Sequence, residues 1–205
     1  MATYKTYEIL GIRTLRRNRK SFNTALLLND NSTGVRRLTR RKLHPEQMWD
    51  VEVVMSNRTE IQAFRDFLDA IEGKLKPFWL PSWTYDIRPI AVAVNNTTIK
   101  SRAYAYEGYG DDASTPTKRK RWIATWDGTT LTPQDVIDVT RAADQETLTI
   151  TPGAGAPIDT DTYEMIMYIN YVRMLQDVFD FEHNIAGGAV CRFGCVALPI
   201  DFPVS

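Results

Sequence analysis

The sequence predicts a mainly β protein with a minor α component: a β-sandwich or barrel core, one packed α-helix and a small all-β insertion. Three observations predict it. Short runs with a period of two recur along the chain, Met48–Met55 being the clearest. One stretch, about 57–72, carries apolar residues at helical spacing. Between about 91 and 161, turn signals punctuate runs rich in Thr, Val, Ile, Tyr and Trp, the texture of short strands joined by tight turns.

Up to about Pro45 the chain is hairpin-like, with Ala25–Leu28 as a strand and Asn29–Gly34 as the turn that ends it. The run Met48–Met55 places Trp49, Val51 and Val53 on one face and Met48, Asp50 and Glu52 on the other. The helix begins near Asn57, with Glu60 three residues on as the partner in a capping box. Ile61, Phe64, Leu68 and Ile71 form its apolar stripe, and Phe67 widens that stripe, so the helix is expected to lie against a sheet. Gly73 is placed to end it as the C′ residue. After the insertion, Tyr163–Leu175, Val178–His183 and Val190–Leu198 read as strands, the last pairing back into the first sheet. The expected domains are therefore residues 1–90 plus 162–205, a β core with the helix, and an inserted β domain over 91–161.

With 205 residues and 43% hydrophobic content, the chain is long enough to bury one good core. No apolar run approaches the roughly 20 residues that span a bilayer, and no basic-then-apolar leader opens the chain. A soluble protein made in the cytoplasm, without membrane insertion, is the expectation. Formal net charge is zero but unevenly spread: residues 1–76 carry 15 Lys/Arg against 9 Asp/Glu, and residues 77–205 carry 10 against 16. Such polarity suits a subunit that presents one sign of charge to a neighbour and the other sign elsewhere.

The sequence marks of phosphate-binding loops, dinucleotide folds, zinc proteases and acyl-transfer elbows are all missing. Only two histidines occur, His44 and His183. Neither is assigned a catalytic role, and no enzyme activity or cofactor is expected. Cys191 and Cys195, with His183 eight residues earlier, are candidate metal ligands, because thiolate and imidazole suit zinc or iron. A tetrahedral site needs a fourth ligand, and residues four apart on a strand share a face, so both thiols facing the core is the competing reading. Asp177, Asp180 and Glu182 fall among Val178, Phe179 and Phe181, a strand with a solvated or interface face.

Two basic runs stand out: Arg13, Arg16, Arg17, Arg19 and Lys20, then Arg36, Arg37, Arg40, Arg41 and Lys42. They suit contacts with acidic faces of neighbouring subunits, the lining of a channel through which DNA passes, or dedicated phosphate binding. Neither run is interleaved with aromatics, as base stacking requires, which favours intersubunit contact. Phe78, Trp79, Pro81, Trp83, Tyr85 and Asp86 form an aromatic segment around a proline, suited to anchoring a loop on the core. In the insertion, Tyr104, Tyr106, Tyr109, Trp122 and Trp126 read as an exposed aromatic set that grips a fibre protein or a glycan, or else as core and interface.

One passage carries a W-D-V strand from Trp49, a helix ending I-E-G-K-L at Leu75, and F-W-L-P-S-W-T-Y-D across Phe78–Asp86. A second carries Y-V-R-M-L-Q-D over Tyr171–Asp177, followed by V-F-D-F-E-H. Together, over about 48–90 and 163–198, they resemble the tail-tip proteins of long-tailed, siphovirus-like bacteriophages, in particular distal tail proteins and their relatives in tail-like particles. The resemblance implies a structural virion protein of the tail tip or baseplate that forms a homo-oligomeric ring, usually a hexamer. Such a ring joins the tail tube protein to the tail hub and to a fibre or receptor-binding protein, and meets DNA only as it passes through the lumen. It implies assembly in the host bacterial cytoplasm and a final place at the tail tip, with the basic N-terminal residues at ring contacts or the lumen. Two alternatives stay open: a hub or tail-completion protein with a C-terminal metal or iron–sulfur site, and a carbohydrate-binding tail module.

Overall fold

The computed structural model describes residues 3–4, 6–13, 19–23, 26–30, 36–40, 46–91, 97–102, 122–151 and 165–198, with side chains for all of these except 19–23, 26–30, 36–40, 46–47 and 91. In chain order the elements are β1 (Thr3–Tyr4), β2 (Tyr7–Glu8), β3 (Arg19–Asn23), β4 (Leu26–Asp30), β5 (Arg36–Arg40), β6 (Glu46–Met55), α1 (Arg58–Ile71), β7 (Phe78–Pro81), β8 (Pro89–Ala91), β9 (Thr98–Arg102), β10 (Trp122–Trp126), β11 (Leu131–Ala142), β12 (Gln145–Thr151), β13 (Met165–Met174), β14 (Phe181–His183) and β15 (Ala189–Ala197). The protein is mainly antiparallel β with one helix among the described residues, as the sequence predicts.

The chain divides into two compact units, one of residues 1–13, 78–171 and 199–205, the other of 14–77 and 172–198. The division falls between residues 13 and 14, 77 and 78, 171 and 172, and 198 and 199. Strand β13 contributes to both, pairing with β10 up to Ile169 and with β15 from Val172 to Met174.

In the first unit the strand order is β13-β10-β11-β12-β9-β8, with β7 also pairing β13. Pairing with a period of two sends alternate residues to opposite faces, and here both faces are buried. Ile123, Val136, Leu148, Ile150, Ile166 and Tyr168 share one core with Ile87 and Ile99. Trp122, Ala124, Met165, Met167 and Ile169 share the other with Ile9, Trp79 and Trp83. Trp122, read from the sequence either as part of an exposed aromatic set or as core and interface, is core: a period of two shows that a strand has two faces, not which of them is covered. Trp126 packs partly buried against the same cluster, while Tyr104, Tyr106 and Tyr109 lie outside the described residues.

In the second unit β6 lies between β3 and β15, and β14 pairs the far part of β15. Trp49, Val51, Val53 and Met55 are buried and Asp50 is exposed, the two-faced strand the alternation predicts. β15 returns against β6 in register from Ala189↔Met55 to Val196↔Met48, so the chain end closes onto the first sheet as expected. The helix buries Ile61, Phe64, Phe67 and Ile71. Phe64 stacks on Phe193 of β15 at 6.0 Å between ring centroids and meets Phe181 edge-on at 5.9 Å, which seats the helix on the sheet.

Two expected boundaries shift. Asn29 and Asp30 do not turn but continue β4, pairing with Arg37 and Arg36 of β5 in a hairpin. Val178–Asp180 is not strand, and β14 begins only at Phe181.

Candidate functional site

Helix α1 is capped at both ends by its own residues. Asn57 has extended backbone, and its Oδ1 accepts the Glu60 N–H at 2.9 Å. Glu60 Oε2 in turn accepts the N–H of Ser56, the residue before the cap, at 2.6 Å, so one orphan donor of the helix is capped by Asn57 and the Glu60 side chain ties down the chain that enters it. At the other end the chain leaves through two left-handed residues, Glu72 (φ 54°) and Gly73 (φ 64°). Gly73 takes the conformation its sequence position predicts, whereas Glu72 adopts it without glycine's freedom and joins its carboxylate to Lys76.

That turn is held from a distant part of the sequence. Asp177 Oδ1 accepts the Lys74 backbone N–H at 3.0 Å, and Asp177 Oδ2 pairs with Lys74 Nζ at 2.9 Å. A Cβ at Gly73 would come within 2.8 Å of Asp177 Oδ1, so a side chain there would push the carboxylate out of the clamp, while the left-handed backbone is what favours glycine. The two bonds from Lys74 hold the Asp177 carboxyl below its ordinary range. Leu175 N–H bonds Gly194 carbonyl at 2.9 Å, and Gln176 Nε2 donates to the Arg192 and Val178 carbonyls. With Asp177 turned toward the helix end and Gln176 toward β15, Val178–Asp180 has no ladder to join, and the expected strand starts three residues late.

On the solvent side of the same sheet, Arg192 Nε meets Glu52 at 2.8 Å, its direct register partner, and Arg192 Nη1 meets Glu182 at 3.1 Å. Of the acidic residues Asp177, Asp180 and Glu182 read as a solvated or interface face, all three are exposed, and Asp177 and Glu182 are paired with Lys74 and Arg192.

A cleft of about 550 Å³ opens between the first two turns of α1 and the connection from β14 to β15, lined by Arg58, Ile61, Gln62, Arg65, His183, Asn184, Ile185 and Gly187. Arg58, Gln62 and Arg65 stand at i, i+4 and i+7, one face of the helix. The Arg65 guanidinium sits 5.3 Å from the Phe181 ring centroid. The opposite wall is a built turn: Asn184 N–H bonds Gly188 carbonyl at 3.0 Å, Gly188 N–H bonds Asn184 Oδ1 at 2.8 Å, and Gly187 has φ 85°. On it Ile185 stands fully exposed. Sequence reasoning does not single out Arg58, Arg65 or Ile185; the readable signal is an aliphatic residue inside an Asn-x-x-Gly-Gly turn.

In the first unit the aromatic segment packs inward. Phe78, Trp79, Pro81 and Trp83 are buried, and Trp79 Nε1 donates to the Tyr4 carbonyl at 2.9 Å. Asp86 accepts from the Ser82 hydroxyl, from Thr84 Oγ1 at 2.9 Å and from the Tyr168 backbone N–H at 2.8 Å, which pins the loop to β13. Trp83 pays for this turn with φ 50°.

Cys191 and Cys195 are buried and free on one face of β15, while His183 is exposed. Burial pushes the Cys191 thiol up to about 11, helped by Asp180, and raises Cys195 further. Buried, protonated thiols are poor metal ligands, and among the described residues no three His, Cys, Asp or Glu side chains gather as a metal site. Of the basic runs, Arg13 is exposed; Arg36, Arg37 and Arg40 lie on β5 with side chains outside the described set, and Arg16, Arg17 and Arg41 lie outside the described residues.

No family model matches the chain, and no curated protein matches it. No described helix is long and apolar enough to cross a membrane.

Proposed function

We propose that this chain is a structural subunit of a phage tail tip, forming a ring between the tail tube and the hub or receptor-binding apparatus. One observation carries the reading. The two sequence passages that resemble distal tail proteins, I-E-G-K-L at residues 71–75 and R-M-L-Q-D at 173–177, are 103 residues apart at Lys74 and Asp177, yet they meet in one clamp. Two motifs that share a structural task belong to one pattern, which supports treating the resemblance as a unit rather than as two chance likenesses.

The rest of the reading follows the chemistry available. The chain carries opposite charge excesses in its two parts, which suits contact between like subunits. In such a protein function is geometry: the core sets the position of exposed surfaces, and those surfaces set the neighbours.

Light scattering of the purified protein over a range of concentration and salt tests the proposal. A discrete mass of several subunits, lost when Arg36, Arg37, Arg40 and Arg41 are neutralised together, supports a ring with charge-paired contacts. A monomer at every concentration and salt counts against it.

A further inference from the structure

We infer that the cleft between α1 and the β14–β15 turn is a docking site for a second copy of this chain, and that it receives the Ile137–Asp138 bulge of β11. The inference rests on the ring reading above and names the surfaces that would build it.

The cleft is cationic without compensation. Arg58 and Arg65 line it and no carboxylate does. Among the described residues neither arginine forms an ion pair; Arg65 is held over the Phe181 ring, which orients the guanidinium while leaving its N–H donors unspent. At the rim, a turn fixed by three hydrogen bonds holds Ile185 fully in water. A rigid turn that displays an aliphatic side chain beside unpaired cations matches a partner offering an aliphatic group next to a carboxylate.

The chain itself displays that partner. β11 carries a bulge between Val136 and Asp138, so that Ile137 has no partner on β12 and stands half exposed. Asp138 follows it, exposed, and among the described residues only the Thr140 hydroxyl donates to it, at 3.4 Å. Among the described exposed aliphatic residues, Leu75 stands between lysines and Val178 follows an aspartate already paired with Lys74. Ile137 is the one directly beside a carboxylate that no described cation takes. Cleft and bulge are different surfaces, so each copy offers one to the copy before it and the other to the copy after it. A contact of this heterologous kind closes into a ring when its rotation closes.

Charge exchange tests this, read as the concentration at which the assembly dissociates in sedimentation velocity. The samples are the wild type, R65E, D138R, the double variant R65E/D138R, and R102E as a control at another exposed arginine. Both exchanged side chains are exposed, and matching thermal melts confirm that each variant folds. Each single exchange is expected to raise the dissociation midpoint on the order of tenfold. The double variant restores the pair with reversed sign and recovers most of that loss, while R102E matches the wild type. A ring indifferent to R65E and D138R overturns the inference and leaves the ring reading standing, as does a double variant no better than the singles. A wild type that never assembles overturns both. Salt-sensitive retention on duplex DNA that R65E abolishes, with assembly unchanged, makes the cleft a phosphate site and overturns the inference too.

Discussion

Asp177 reaches back across 103 residues to Lys74, accepting its backbone N–H with one carboxylate oxygen and pairing with its ammonium group through the other. The clamp closes the turn that ends the helix, and it also decides where the last hairpin begins. Because both side chains are about half exposed, the ion pair itself contributes little; the bond to the backbone and the glycine beside it define the geometry.

Gly73 is the first place to test that geometry. Gly73→Ala forces a side chain into left-handed backbone and pushes its Cβ against Asp177 Oδ1. A loss of about 1–2 kcal/mol in urea unfolding is expected from the backbone alone. Gly73→Asn, whose side chain tolerates that conformation better, is expected to lose less of the backbone part while keeping the clash.

The Asp177 carboxyl titrates below its ordinary range because Lys74 bonds its charged form. A folded-state pKa below the unfolded value gives stability that is present above the ordinary carboxylate range and is lost as pH falls through the depressed value. The stability difference between wild type and Asp177→Asn is therefore expected to be largest near neutral pH and to shrink in acid. Thermal melts from pH 7 down to pH 2 measure it, and a difference that stays constant removes Asp177 as the titrating group.

Phe64 joins the helix to Phe193 and Phe181, and it is fully buried. Phe64→Ala is expected to cost about 3–5 kcal/mol, and Asn57→Ala about 1 kcal/mol through the lost cap. Denaturant titrations that reverse this order would mean the helix is held by its ends rather than by its apolar face.

Burial keeps both thiols protonated at neutral pH. A thiol reagent such as dithionitrobenzoate is expected to react with neither Cys191 nor Cys195 in the native protein and with both once it is unfolded. Rapid labelling of the native protein at pH 7 would contradict the packing of β15 against β6.

The sequence revealed what local rules govern. The stripe Ile61, Phe64, Ile71 and the pair Asn57 and Glu60 mark the helix within a few residues, and alternation from Trp49 to Val53 marks β6 with its buried face. What stayed hidden depends on groups far apart in the chain. The late start of β14 follows from a carboxylate that bonds a backbone group 103 residues away, which no periodicity encodes. Trp122 reads as either surface or core until Trp79 and Met167 are known to share its cluster. The cleft joins one face of the helix to a turn some 120 residues later, and only folding puts Arg58 and Arg65 beside Ile185.

Negative-stain electron microscopy of the purified protein, at concentrations spanning the assembly range, tests the central claim most directly. The account predicts closed rings of uniform diameter with rotational symmetry and an open centre. Particles limited to monomers or two-fold dimers without a central opening, across the whole range, would contradict it.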